Sequence, residues 1–132
     1  MLGEQIGESK GKRIVRRVLS TDPPKVEVSF EDSGNMLGVP TTGFGTYHAT
    51  IRQDGSLYGE GEGMMMTADG EMISWKGTGL GTLGAGGAVS YRGMLYYRTA
   101  SQKLARLNSV GGVFEYEVDA AGSTTSKVWE WK

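Results

Sequence analysis

Short runs of alternating apolar and polar residues fill most of the chain, each followed by a turn signal. Alternation indicates β-strands because successive side chains of a strand point to opposite faces of its sheet. Many short strands at regular spacing are typical of an antiparallel sandwich or barrel. The pattern predicts eight strands, at Arg13–Leu19, Val26–Asp32, Thr42–Arg52, Ser56–Thr67, Glu71–Leu83, Ala88–Arg98, Val113–Val118 and Lys127–Trp131.

Two Asp-Gly pairs fix how three of these strands align. We interpret Gln53–Gly55 and Ala68–Gly70 as three-residue hairpin loops, each with its glycine in the left-handed position. In this register the glycines of three strands form one groove on a shared face. We expect the rings of Tyr47 and Trp75 to lie across the groove, on the inside of a curved sheet. The predicted neighbours are Tyr47–Gly61–Gly77, Ala49–Gly59–Gly79 and Gly45–Gly63–Trp75.

Eight strands in a meander leave few edges if the sheet closes on itself. We therefore predict an all-β fold, a single closed or nearly closed eight-stranded antiparallel meander barrel. Residues 1–132 are expected to form this one barrel domain. Only Ser101–Asn108 predicts a helical turn, because Leu104 and Leu107 lie at helical spacing.

Composition removes several classes of function. The net charge of −1 provides no basic field for nucleic acid and no polybasic membrane signal, so we expect neither partner. The basic run from Lys10 to Arg17 is interpreted as a solvated edge strand protected by charge. The absence of cysteine excludes disulfides and thiolate nucleophiles. Met1–Gln5 lacks a signal-peptide pattern, which favours a cytoplasmic location.

Four aromatic residues are the candidate ligand-binding set. Tyr47, Trp75, Tyr91 and Tyr97 fall on the glycine face and could line a pocket for a small apolar or aromatic ligand. The alternative is a filled core in which the tyrosine hydroxyls reach a rim or a partner. We predict no cofactor and no metal site, because one histidine with scattered carboxylates is too few ligands.

The opposite face carries the one histidine that meets a carboxylate. The register places His48 beside Glu60, and this pair could act as a general base in a cyclase or isomerase. The alternative is a solvent-facing ladder of opposite charges. Whether the protein is an enzyme therefore stays open.

The same face carries large apolar residues that suit a subunit interface, so a homo-oligomer, as a dimer, and a structural assembly role are further hypotheses. They are Phe44, Met64, Met66, Met72 and Leu80.

Several glycine-rich segments resemble an uncharacterised prokaryotic family with the allene-oxide-cyclase-like, or calycin-like, β-barrel. The likeness is carried by Leu57–Gly63, Asp69–Glu71, Trp75–Gly79, Thr99–Asn108 and Phe114–Asp119. The resemblance implies an oligomeric eight-stranded antiparallel barrel and brings no activity with it. Plant cyclases of this barrel type bind a fatty-acid epoxide, but no residue of their pocket can be matched to a position here.

Overall fold

Eight antiparallel strands follow one another in chain order and close into a barrel, with the last strand paired to the first. The structure is a computed structural model that describes all residues, 1–132. The predicted fold class is confirmed. The strands are β1 Leu2–Thr21, β2 Pro24–Met36, β3 Val39–Ile51, β4 Leu57–Thr67, β5 Met72–Leu83, β6 Val89–Thr99, β7 Gly111–Val118 and β8 Ser123–Trp131.

Both Asp-Gly hairpins adopt the predicted three-residue loops. The Arg52 amide donates to the Ser56 carbonyl at 2.8 Å, and the Thr67 amide donates to the Glu71 carbonyl at 2.9 Å. Gly55 and Gly70 have φ values of 86° and 83°, the left-handed region that favours glycine. Each predicted row of neighbours across β3, β4 and β5 is present, so the glycine groove exists as the sequence predicts.

The glycine face lines the interior, but the rings that cover it differ partly from the prediction. Trp75 lies where predicted: a Cβ added at Gly63 would stand 2.5 Å from its indole, and one at Gly45 2.9 Å from it. The prediction for Tyr47 is wrong, because only its Cα and Cβ approach the groove, at Gly61. Its ring turns inward and meets Tyr91 edge-on, with ring centroids 5.7 Å apart.

Tyr91 covers the part of the groove that Tyr47 leaves bare. A Cβ at Gly81 would lie 2.7 Å from the Tyr91 ring, and one at Gly59 would lie 3.2 Å from it. Large rings therefore lie directly on bare backbone, which a strand with ordinary side chains would prevent. This is the reason for glycine at spacing two in β4 and β5.

Two apolar clusters fill the barrel. The larger cluster lies at the end where β1 begins, and the segment between β6 and β7 closes that end. This segment ends in a 3₁₀ turn at Ala105–Ser109, and both Leu104 and Leu107 are completely buried. The helical turn predicted at Ser101–Asn108 is therefore present, but it is a 3₁₀ turn that begins after Leu104 and extends to Ser109. The smaller cluster, of Ala49, Leu57 and Tyr91, lies toward the other end.

The first strand is much longer than the predicted Arg13–Leu19. Its first half, Leu2–Lys12, pairs with β8 and closes the barrel, while residues 14–21 pair with β2 alone. The edge-strand interpretation therefore holds only for this second half, where Arg16 and Arg17 are exposed. The sequence pattern did not reveal the half of β1 that pairs with β8, because the mostly small and polar residues before Arg13 show little apolar alternation.

Gly63→Ala should lower the free energy of unfolding by about 1–3 kcal/mol, as overpacking does, because the new methyl group would stand 2.5 Å from the Trp75 indole. Urea denaturation measures the change. Gly84→Ala is the matched control, since its Cβ would meet only Ala88 at 3.6 Å and its φ is −112°. Equal destabilisation of both variants would contradict the proposed role of Gly63.

Candidate functional site

A cavity of about 120 Å³ lies inside the barrel and is bordered by members of both apolar clusters. Its walls combine aromatic rings, glycine backbone and a few polar side chains. A small apolar cavity with a limited number of placed polar groups is the usual form of a ligand site. The inward-facing residues around it include Ser9, Phe30, Asp32, Tyr47, Met65, Trp75, Tyr91, Leu95, Tyr97, Phe114, Tyr116 and Ser126.

All four aromatic residues predicted to bind a ligand line this cavity. Tyr91 and Tyr97 are almost completely buried. Burial raises the pKa of Tyr47 to about 12 and raises the pKa values of Tyr91 and Tyr97 as well. The hydroxyl groups are therefore neutral near physiological pH and act as hydrogen-bonding groups rather than as bases. That they contact a ligand stays a prediction.

Asp32 brings a carboxyl group to the wall of the cavity. It lies on the inward face of β2, next to Phe30, and its Oδ2 accepts a hydrogen bond of 3.1 Å from the Ser9 hydroxyl. The Ser9 and Ser126 hydroxyl oxygens lie 2.9 Å apart. Because Ser9 donates its proton to Asp32, Ser126 donates to Ser9. Burial raises the pKa of Asp32, and the Ser9 hydrogen bond offsets part of that rise.

Tyr116 adds a second polar group to the same region. Its hydroxyl is buried and has no hydrogen-bond partner, although the Thr124 and Tyr47 side chains are close polar neighbours. Burial raises the pKa of this hydroxyl, and the nearby Tyr47 and Asp32 add to the rise. A buried hydroxyl without a partner is costly, so this atom is available to a bound molecule.

Sequence reasoning missed Asp32, although a signal for it exists. Val26, Val28 and Phe30 alternate along β2 and mark its inward face, and Asp32 is the next residue in that series. Continuing the period by one step would have placed a carboxyl inside the barrel. Ser9 carried no such signal, because it lies in the part of β1 that was not predicted.

The predicted catalytic pair lies on the outer wall. His48 and Glu60 are neighbours in the register, as expected, but both side chains face away from the barrel axis. The His48 ring is half exposed, and its Nε2 lies 3.2 Å from Oε2 of Glu27, not of Glu60. Glu27 also accepts a hydrogen bond from Arg17. The pair therefore belongs to a solvated charge ladder, which is the alternative that the sequence left open.

Comparison with solved structures finds the same barrel in proteins of very different sequence. A protein of unknown function from Clostridium acetobutylicum has a TM-score of 0.84 at 12% identity, over 98% of this chain and 98% of that one. A beta-barrel-like protein from Acinetobacter baumannii gives 0.82 at 12% identity, over 100% and 96%. An enzyme from Penicillium herquei gives 0.69 at 16% identity, over 96% and 92%. These likenesses show the fold alone.

Sequence comparison finds no protein family and no curated protein that matches the chain. The structure also has no helix that is long and apolar enough to cross a membrane.

Asp32→Asn should stabilise the protein increasingly as the pH rises above 3.8, the unperturbed pKa of the carboxyl. The folded protein holds this proton more tightly than the unfolded chain does. The stability that the protonated Asp32 carboxyl group contributes is therefore fully present below its pKa in the unfolded chain. It is lost as the pH rises through its pKa in the folded protein. Urea denaturation of wild type and variant across a pH series measures the difference.

Glu31→Gln controls for the loss of one negative charge, because Glu31 is exposed on the same strand. A difference between Asp32→Asn and wild type that stays constant with pH would show that Asp32 is not held in an environment that disfavours its charge.

Proposed function

We propose that the protein binds a small, mainly apolar or aromatic molecule inside the barrel. The observation that carries this proposal is the aromatic cavity, which leaves a volume of about 120 Å³ beside Tyr47, Trp75, Tyr91 and Tyr97. A core built only for stability packs to near-crystalline density and leaves few voids larger than a water molecule. An unfilled space next to buried polar groups favours binding over simple packing.

The volume limits the size of the ligand. An engineered apolar cavity of about 150 Å³ is known to hold benzene, and most pockets for drug-sized ligands are about 300–1,000 Å³. The cavity of this protein is therefore suited to a molecule built around one ring. A fatty-acid chain of the kind bound by allene oxide cyclases would require the interior side chains to move.

An enzymatic role of the cyclase or isomerase kind is the second candidate. A solved enzyme with a similar barrel, from Penicillium herquei, supports it only weakly, because one fold hosts many functions. Catalysis by His48 and Glu60 has lost its basis, since both side chains are exposed on the outer wall and His48 contacts Glu27 instead of Glu60. Any catalysis in the interior would instead depend on Asp32, the carboxyl group that lines the cavity beside Tyr116.

Single-ring molecules such as phenol and toluene should raise the Tm by several degrees at concentrations well above Kd, because a ligand bound only by the folded state stabilises it. Leu95→Phe should at least halve this shift. Leu95 lines the cavity and packs against Gly77, so a larger ring there occupies the ligand space. Differential scanning fluorimetry measures both effects.

Leu80→Phe is the matched control, since it makes the same change on the outer wall, where Leu80 is 55% exposed. Shifts that are equal in Leu95→Phe, Leu80→Phe and wild type would place binding outside the barrel and contradict the proposal.

We also propose that the outer wall forms the interface of a homodimer. Phe44, Met64, Met66 and Met72 are neighbours across β3, β4 and β5, and each is between 38% and 50% exposed. Leu80 does not join this patch, because Lys76 and Thr78 separate it from Met72 along β5. Flexible methionines adapt to a facing copy, and a two-fold axis needs only one self-complementary patch.

Sedimentation velocity at micromolar concentration should show a dimer for wild type and a monomer for Met64→Glu, because the new carboxylate would be desolvated at the centre of the patch. Leu80→Glu should remain a dimer, since Leu80 lies on the same wall outside the patch. A monomeric wild type, or dissociation of both variants, would contradict an interface at this patch.

A further inference from the structure

We propose that the ligand of the barrel is a small organic cation, with one ring or a short apolar body, whose ammonium group binds the carboxylate of Asp32. This inference rests on the proposed binding function and adds the chemical class of the ligand. The aromatic lining alone would suit any single-ring molecule. The cation is indicated by what surrounds the carboxyl group.

Asp32 has no counter-ion in the folded chain. No Lys, Arg or His nitrogen lies within 4.0 Å of its carboxyl oxygens, whereas eight ion pairs join other charged side chains of the protein. Its protein hydrogen bond is the one from Ser9 to Oδ2, and Oδ1 receives none. Buried charges are normally paired or bound to a cation. Oδ1 is therefore a free acceptor at the wall of the cavity.

Aromatic rings form the rest of this environment. The centroid of the Phe30 ring lies 6.2 Å from that of Tyr47, 6.2 Å from that of Trp75 and 5.7 Å from that of Tyr116. The faces of such rings carry negative charge density, which attracts cations and repels anions. These rings and the Asp32 carboxyl group border the same cavity, so together they favour a positively charged ligand and disfavour a negatively charged one.

Tyr116 supplies a second contact for the same group. Its hydroxyl is buried without a partner, and it is close enough to Asp32 for that carboxylate to raise the pKa of the hydroxyl. A primary ammonium has three N–H donors. One can be donated to Oδ1 of Asp32 and another to the Tyr116 oxygen, which would satisfy both unpaired atoms at once.

Glycine on the neighbouring strand β3 makes room for the carboxyl group. A Cβ at Gly43 would lie 2.9 Å from Oδ1 of Asp32, with which Gly43 pairs directly in the register. Gly11 pairs with Asp32 on the other side, but a Cβ there would first meet the backbone carbonyl oxygen of Glu31. The bare backbone of Gly43 thus leaves the carboxyl group a niche that an ordinary side chain would fill.

Three probes of nearly equal size separate the possibilities: benzylammonium, benzyl alcohol and benzoate. In isothermal titration calorimetry, wild type should bind benzylammonium at least tenfold more tightly than benzyl alcohol, and benzoate should not bind measurably. Asp32→Asn should lose this preference while keeping its affinity for benzyl alcohol. Glu31→Gln, which removes a charge from the exposed side of the same strand, should behave as wild type.

Tyr116→Phe is a second variant in case Asp32→Asn fails to fold, and it should weaken benzylammonium about threefold with little effect on benzyl alcohol. Benzyl alcohol bound as tightly as benzylammonium, or a preference that survives Asp32→Asn, would overturn the cation while leaving the binding function intact. If none of the three probes binds to wild type, both the cation and the proposed function are overturned.

Discussion

Contact between large rings and bare strand backbone is the interaction on which the rest of this structure depends. An eight-stranded barrel has an interior just wide enough for side chains to fill. Here the indole of Trp75 lies on Gly45 and Gly63, and the ring of Tyr91 lies on Gly59 and Gly81. If the facing positions carried side chains, these rings could not enter and the strands could not coil as tightly. Each ring thus requires its glycines, and each glycine would weaken its strand without a ring to cover it.

The same rule of bare backbone opposite a large group also shapes the candidate site. Gly43 leaves the space that the carboxyl group of Asp32 occupies, as Gly45 and Gly63 leave the space for the indole of Trp75. Phe30 then joins the two regions, because it precedes Asp32 along the inward face of β2 and stacks on Trp75 at an interplanar angle of 25°. The carboxyl group and the aromatic lining are therefore parts of one arrangement rather than separate features.

The sequence predicted the strand pairings that short loops determine, and it missed the pairing of β1 with β8 that closes the barrel. Asp-Gly loops determine hairpin register, so the pairing of β3, β4 and β5 could be predicted directly. The inward position of Tyr91 and Tyr97 followed only on the assumption that the loop at Gly84–Gly87 keeps the same face inward. The pairing of β1 with β8 joins residues more than a hundred positions apart, and no turn specifies it. Ser9 and Ser126, which meet only through that pairing, could not be found. The direction of the Tyr47 ring was also unpredictable, because it is set by Tyr91 and Tyr116 from strands whose packing the register alone does not give.

The polar groups in the interior lower the stability of the fold, and this is the argument for a binding site there instead of a simple core. A charged group that is withdrawn from water without a paired opposite charge costs free energy, and Asp32 is a partly buried carboxyl group of this kind. At one level of this barrel, Asp32 lies between Gly11 and Gly43, and each glycine in a strand is itself destabilising. The unpartnered hydroxyl of Tyr116 lies nearby. Several destabilising groups thus lie together at one small cavity. On the outer wall, by contrast, His48 is half exposed to solvent and contacts Glu27. A requirement for stability alone would select against this cluster, whereas the proposed binding of a molecule inside the barrel would account for all of its members together.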